Sequence, residues 1–413
     1  MQNIKQEFFN LAQKTINDCF IKKETWFKGS LEEQRIFLPA GDEKYKSFWP
    51  VDAIFSSRCG LMNNDKIKDI IDIIFNFGQN ISEELKLENG LTVPQYAIAD
   101  HINFDAKPVY FPGTYSSGNN QGDGSYGFLP PLNNLYLVTE LVNRYITQSG
   151  DIDILEKEYH GTPLKECLEN AFNAGYGVDE ETGLCCGDAQ NYTVDWTYCD
   201  QVKKSGFFLV PSIMRGEAAG ILAKFFPEKK AHYLSLQTKI INAVTERLFD
   251  ENTGWFYSAT EIGHQHDVWG TAYAVYSELF PKHISQKASE AILRAYKDGT
   301  AVCGGYVRHI KTDEEFSEGS CWQYCISKYN RYMDGGYWAT PSGWFYYALE
   351  KVDTNSANEF LESFLKFNQE NEENGAPYEW FHPETKEFEG CKYGTSGTSL
   401  YAALIKLNNS HLR

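Results

Sequence analysis

The sequence predicts an all-α protein in which about a dozen helices pair into hairpins around a closed ring. Three observations predict it. Apolar residues recur at helical spacing through most of the chain, and strand signals are few and short, near residues 301–308. The connections alternate between short and long, as hairpins arranged in a ring with long loops on one face would require.

The first periodic segment covers residues 4–20, where Ile4, Phe8, Leu11, Ala12, Ile16 and Phe20 form one stripe. Residues 67–85 repeat the pattern. Pro130-Pro131 opens a helix that runs to residue 145, because proline in a first turn gives up an N–H that has no partner there. Further helices are expected over 163–175, 210–226, 229–249, 268–279, 284–296, 338–349, 356–371 and 398–407, with shorter ones around 52–62 and 318–332. Length alone gives a prior of two to three domains. No low-complexity run or Gly/Ser linker marks a boundary, however, so residues 1–413 read as a single domain.

Between the helices lie long polar-aromatic loops over 100–129, 183–204, 299–320 and 372–397. Long connections without regular structure usually carry function. Composition narrows what that function is. With 38 Lys+Arg against 56 Asp+Glu the net charge is −18, which repels nucleic-acid backbones and anionic lipid. No apolar run reaches the roughly 18 residues of a membrane span. Lys5, Glu7, Lys14 and Asp18 interrupt any signal-peptide core. A cytoplasmic location is expected, or a periplasmic or secreted one if a leader has been removed.

The 10 cysteines are too sparse for a disulfide scaffold. Cys185-Cys186 and the Cys321/Cys325 pair lack the second pair that zinc spacing needs, so buried free thiols are expected. His264-x-His266-Asp267 has no further histidine near it in the sequence, and fits a sugar-binding loop or a helix cap better than a metal site. No metal and no cofactor are implied. Gly304-Gly305 lacks phosphate-loop spacing, and Ser396 is no nucleophile elbow but part of a helix cap.

Aromatic residues make up 15% of the chain, and many stand beside Gly, Pro, Asp and Asn rather than in apolar runs. Flat rings beside polar groups suit sugars, which have apolar C–H faces and hydroxyl edges, although a large aromatic core is the alternative. Four acidic clusters are set among them. They are Phe48-Trp49-Pro50-Val51-Asp52; Asp188 with the segment Asp195-Trp196-Thr197-Tyr198-Cys199-Asp200; residues 334–344, which include Tyr337, Trp338 and Trp344; and Tyr378-Glu379-Trp380-Phe381-His382-Pro383. A carboxyl beside Trp loses hydration, which raises its pKa and suits a general acid. A second carboxylate across a sugar can activate water. A single Asp-Trp can equally be a helix cap beside a packing ring, but four in loop-like segments point to a site.

Taken in order, the clusters resemble the six-hairpin glycosidases, the (α/α)6-toroid enzymes that include trehalases (family 37), family 63 α-glucosidases and family 78 α-rhamnosidases. Phe48-Trp49 through Asp52 is similar to the F-W-x-W-D element of trehalases and family 63, with Val51 in place of the second Trp. The stretch 336–344 resembles Y-W-R-G-P-x-W, with Ala339 where the motif has its arginine. The stretch 378–385 resembles E-x-Y-x-P-x-T-G, whose first Glu is the general base and falls on Glu379.

The resemblance implies an (α/α)6 toroid with long loops forming an active-site funnel. It implies inverting, metal-independent hydrolysis of an α-linked glycosidic bond in an oligosaccharide or glycoside. Asp195 sits where these families place the acid, with Asp200 a competitor and Asp188 a weaker one. Phe48, Trp49, Asp52, Trp196, Tyr337, Trp338, Trp344, Tyr378 and Trp380 would bind the sugar. The alternatives are an unsaturated-uronide hydrolase, an epimerase using His264 and His266, and a carbohydrate-binding protein without catalysis.

Overall fold

The computed structural model describes residues 2–22, 35–40, 45–122, 125–190, 193–374 and 376–410. Among these residues are twelve α-helices: α1 (Gln2–Cys19), α2 (Pro50–Ser57), α3 (Asn64–Ile73), α4 (Asn134–Ser149), α5 (Leu164–Phe172), α6 (Leu209–Phe225), α7 (Lys230–Leu248), α8 (Val268–Ser277), α9 (Lys282–Lys297), α10 (Ser342–Glu350), α11 (Thr354–Glu370) and α12 (Gly394–Ser410).

The even-numbered helices form the inner wall. α2 packs on α4, α4 on α6, α6 on α8, α8 on α10 and α10 on α12, and α12 closes the circle on α2. The odd-numbered helices lie outside, each against one or two inner neighbours. Sequence explains the sorting. Every residue of α2 and α8 is buried, and a helix that is apolar all round needs cover on all sides. In α9, by contrast, the buried positions Ile284, Ala288, Ala291, Ile292 and Ala295 follow a single stripe. The ring is the expected (α/α)6 toroid.

All inner helices run the same way. Residues preceding or opening α2, α4, α6, α10 and α12 gather around one cavity. At the opposite end, Arg58, Arg144, Ile221, Glu278 and Lys406 from the later parts of α2, α4, α6, α8 and α12 line a second one. The long loops at the first end carry the β-structure that matters for the site. One sheet runs Ser47–Phe48, His101–Asn103, Pro108–Val109. Another is five-stranded and antiparallel, in the order Val302–Cys303, Tyr306–Arg308, Tyr337–Trp338, Tyr378–Phe381, Phe388–Lys392.

Several expected boundaries are corrected. The helix over 67–85 ends as α3 at Ile73, continues as a π turn over Ile74–Gly78 and stops. There Asn80 turns on the backbone instead: its Oδ1 accepts from Ser82 N and its Nδ2 donates to the Val93 and Pro94 carbonyls. No helix forms over 318–332. Asp334 Oδ1 gathers Ser320 Oγ and the amides of Cys321 and Trp322, while Asn330 and Tyr332 take φ of 62° and 48°. The helix expected from Pro130 starts at Asn134, and the one expected from Trp338 starts at Ser342, because Trp338 is in a strand. Among the described residues no helix is long and apolar enough to cross a membrane. The ten cysteines are free thiols.

Candidate active site

The first cavity, about 310 Å³, lies at the end of the ring toward which the inner helices point their N-termini. Trp49 caps α2 and Pro50 takes its first position, which aims Asp52, in the first turn, at the cavity. Asp52 Oδ1 accepts from the Tyr198 hydroxyl at 2.5 Å. Burial pushes this carboxyl up to about 7; bonds from Tyr198 and Tyr393 act against the shift, and the charge of Asp100 adds to it.

The neighbouring sheet presents Asp100 and His101. His101 Nδ1 meets Asp100 Oδ2 at 2.9 Å, and the imidazole stacks on Trp49 at 4.7 Å. Both residues are buried, and among the described residues Asp100 Oδ1 and His101 Nε2 have no hydrogen-bond partner.

The loop before α6 makes a short 3-10 turn over Thr197–Cys199 and delivers Asp200 at its end. Asn133 Oδ1 holds that turn by accepting from the Thr197 amide at 3.1 Å. The Asp200 carboxyl is held well above the ordinary carboxylate range, first by burial, then by the charges of Asp100 and Glu379. Its Oδ1 likewise lacks a protein partner.

Glu379 stands in the strand Tyr378–Phe381, 3% exposed. The Tyr45 hydroxyl donates to both of its oxygens, at 3.3 and 3.0 Å. Burial, followed by the Glu379 charge, keeps the Tyr45 proton in place far above neutral pH. The pairing register shifts between Tyr378 and Trp380, and Gly390 faces Glu379 there. A Cβ on Gly390 would come 2.1 Å from Glu379 Oε2, and its φ is +82°. Only glycine leaves room for the carboxylate.

Of the residues expected to form the site, the fold brings Trp49, Asp52, Asp200 and Glu379 together. Asp195 lies apart from them. It does not line the cavity, but lies 1% exposed in an ion pair with Lys204 Nζ at 2.8 Å. An acid must reach the leaving oxygen, and of the two competitors Asp200 does line the cavity. Asp188 is exposed, with Oδ1 on the Gln190 amide.

Most of the expected sugar-binding rings also stand behind the wall. Trp196 packs edge-on against Tyr198 and Trp269, and Trp344 against Phe55 and Tyr273. Phe48 is buried in the core. Tyr337 stacks on Phe381, Trp338 Nε1 donates to the Tyr332 carbonyl, Tyr378 packs on Phe388 and Trp380 on Tyr332. They fix the backbone beneath the site. His264 and His266 stack on Tyr257 away from the cavity. Among the described residues no group of three or more His, Cys, Asp or Glu is arranged to hold a metal.

Sequence reasoning missed Tyr45, Asp100, His101, Tyr198, Tyr332 and Tyr393, all of which line the cavity. The available signal was Asp100-His101 opening the longest loop, together with the preference of the cavity for Tyr over Trp.

No protein-family model matches the chain, and no curated protein matches it in sequence. Solved structures do match. A rhamnosidase from Klebsiella oxytoca with rhamnose bound superposes with TM-score 0.59 at 11% identity, over 98% of this chain and 64% of that one. The chain therefore spans slightly under two thirds of that rhamnosidase. A glucoamylase from Saccharomycopsis fibuligera gives TM-score 0.60 at 11% identity, covering 99% of this chain and 96% of that one. A sugar epimerase from a ruminal bacterium gives 0.56 at 12%, covering 98% of both. The chain shares the (α/α)6 toroid fold of these structures. At such identities the likeness is one of fold and not of chemistry.

The raised Asp52 carboxyl has a consequence for stability. A buried group whose folded pKa is above its unfolded value binds more protons folded than unfolded. Stability is then greatest below about pH 4 for this group and falls as pH rises toward about 7. Asp52→Asn removes that charge while keeping an acceptor for Tyr198. The variant is expected to melt near the wild type at pH 5 and above it at pH 8, by on the order of 1–3 kcal/mol. A melting-temperature difference that does not grow between the two pH values would contradict the assignment.

Proposed function

We propose that the chain is a glycoside hydrolase that cleaves an α-linked glycosidic bond with inversion, using Asp200 as general acid and Glu379 as general base. The observation that carries this reading is the convergence of two carboxyls, 179 positions apart in sequence, on one aromatic-walled cavity. Asp200 holds its proton because burial and the neighbouring carboxylates disfavour its charge. Glu379 is anchored by the Tyr45 hydroxyl, which donates to its carboxyl. Asp200 would give its proton to the leaving oxygen, and Glu379 would draw a proton from water attacking the anomeric carbon. Fold neighbours that include a rhamnosidase and a glucoamylase support a sugar as substrate.

The α-linkage and inversion rest on the resemblance of the Glu379 segment to the six-hairpin base motif. The test is a screen of aryl α- and β-glycosides and natural disaccharides, followed by proton NMR of the first product. The fresh sugar is expected to have the configuration opposite to that of the substrate. Retention, or a glycosyl adduct trapped on Glu379, would refute the base role. The rate should follow a bell in pH, rising as Glu379 ionises and falling as Asp200 loses its proton.

A second reading has one observation in its favour. The Asp100–His101 pair lines the cavity, where a proton-transferring epimerase would need a histidine, and an epimerase is among the fold neighbours. In that case His101→Ala would be inactive, Glu379→Gln active, and no new reducing end would appear.

A further inference from the structure

Beside the cavity the chain builds a shelf. Val202 and Cys325 form one antiparallel rung, closed by Lys203 N on the Tyr324 carbonyl at 3.0 Å and by Ile326 N on the Gln201 carbonyl at 2.9 Å. In such a pairing, successive residues of a strand point to opposite faces and residues opposite each other share one. Val202 is buried and Cys325 half-buried, so their face turns inward. Gln201, Lys203, Tyr324 and Ile326 share the outer face, where Tyr324 is 54% and Ile326 51% exposed. The shelf is held from the side of Gln265, whose Nε2 donates to the Cys321 carbonyl at 2.7 Å and whose Oε1 accepts from the Gln323 amide at 2.8 Å. Ser327 Oγ donates to Gln201 Oε1 and ties the two strands together again.

Exposed apolar side chains that stand singly are ordinary. These two stand together, and their place gives them a use. Gln201 lines the cavity and directly follows Asp200. A general acid stands beside the leaving oxygen, so the leaving group lies on the Asp200 side of the bond. Leaving that side, it meets the pair Gln201–Ile326 first. The pair Lys203–Tyr324 follows two residues on, about 7 Å farther out, and neither of its members lines the cavity. Each pair sets an apolar side chain beside a polar one, a surface that suits a pyranose with its C–H face and hydroxyl edge. Resting on the glycosidase reading, we propose that the outer face of this shelf is the leaving-group subsite. The first sugar of the leaving group lies over Gln201–Ile326 and the second stacks on Tyr324. The preferred substrates are then oligosaccharides of at least three units rather than alkyl glycosides or disaccharides.

The test takes the sugar whose glycosides the screen finds cleaved. It is supplied to the full chain as its methyl glycoside, and at the non-reducing end of a disaccharide and a trisaccharide through one and the same linkage. In the wild type, kcat/KM is expected to rise about tenfold or more from disaccharide to trisaccharide, although the bond cut is the same, because remote contacts lower the barrier. In Tyr324→Ala that ratio should fall to near one, and in Tyr324→Trp it should persist, since a ring face is kept. Ile326→Ser should instead shrink the step from methyl glycoside to disaccharide. A merely structural role for Tyr324 would slow all three substrates alike. Should Tyr324→Ala fail to fold, the wild-type ratio and that of Tyr324→Trp decide. Equal kcat/KM for disaccharide and trisaccharide in the wild type, or a trisaccharide advantage that survives in Tyr324→Ala, overturns the proposal and leaves the hydrolase reading standing. If no glycoside is cleaved at all, both fall.

Discussion

Glu379→Gln and Asp200→Asn are each expected to lower kcat by about 10²–10⁴-fold on the best substrate, with melting temperature nearly unchanged. Both substitutions keep the shape of the side chain and remove its proton chemistry. They are also expected to differ in pH dependence. Glu379→Gln deletes the proposed base, so the residual rate should no longer fall toward low pH. Asp200→Asn deletes the proton donor, so the basic limb should flatten. An aryl glycoside with a good leaving group needs little protonation, and should rescue Asp200→Asn but not Glu379→Gln. Steady-state kinetics over pH on two leaving groups reads all of this at once. Full activity of Glu379→Gln would end the hydrolase assignment. Full activity of Asp200→Asn would return the acid role to another carboxyl.

Lys204→Met is expected to destabilise the protein by about 3–5 kcal/mol, the largest stability effect foreseen for a single side chain here. Lys204 and Asp195 are each about 1% exposed and meet at 2.8 Å. Burial works against the Lys204 charge, but Asp195, then Cys199 and Asp267, hold the ammonium above its usual range. Asp267 is itself kept ionised despite burial by His309, whose Nε2 lies 3.1 Å away. Removing the lysine leaves Asp195 buried without its cation, beside Asp267, which keeps His309. The double variant Asp195→Asn/Lys204→Met should recover much of the loss, because no charge is then left alone. Chemical denaturation of the two variants tests this. A single variant within about 1 kcal/mol of the wild type would mean that water reaches the pair. Asp195→Asn can still slow turnover, since its loop carries Thr197, Tyr198 and Asp200, but through position rather than proton transfer.

The Asp195 case shows where sequence reasoning reached its limit. Asp195-Trp196 and Asp200 stand five positions apart in one loop with similar neighbours, and nothing local says which turns inward. The 3-10 turn at Thr197–Cys199 decides it, together with Lys204, which reads in isolation as a solvated charge. The ring was legible because its periodicity is long-range and redundant: most of the inner and outer helices announce themselves by apolar spacing. The strand carrying Glu379 was not, since four residues in a polar-aromatic loop show no usable alternation. Glu379 and Asp52 stand out in the sequence as carboxyls in aromatic clusters, and the resemblance adds a role for each. Asp100, His101 and Tyr45 belong to no such motif, and only the closing of the ring brings them to the others.

That closure has a consequence for how the molecule is made. α1 packs on α12, and Lys5 Nζ reaches Asn408 Oδ1 at 3.3 Å. Phe8, Ala12 and Ile16 are buried, and Phe9 packs edge-on against Tyr401 of a helix that leaves the ribosome some four hundred residues later. Until then the nascent chain is an open arc with apolar faces at both ends, and the last contact is also the one with the greatest chain entropy to overcome. Hairpins in the middle can assemble during synthesis, each on its predecessor. The first helix must wait, which makes the exposed α1 face the point at which a growing chain is most open to aggregation or to a chaperone.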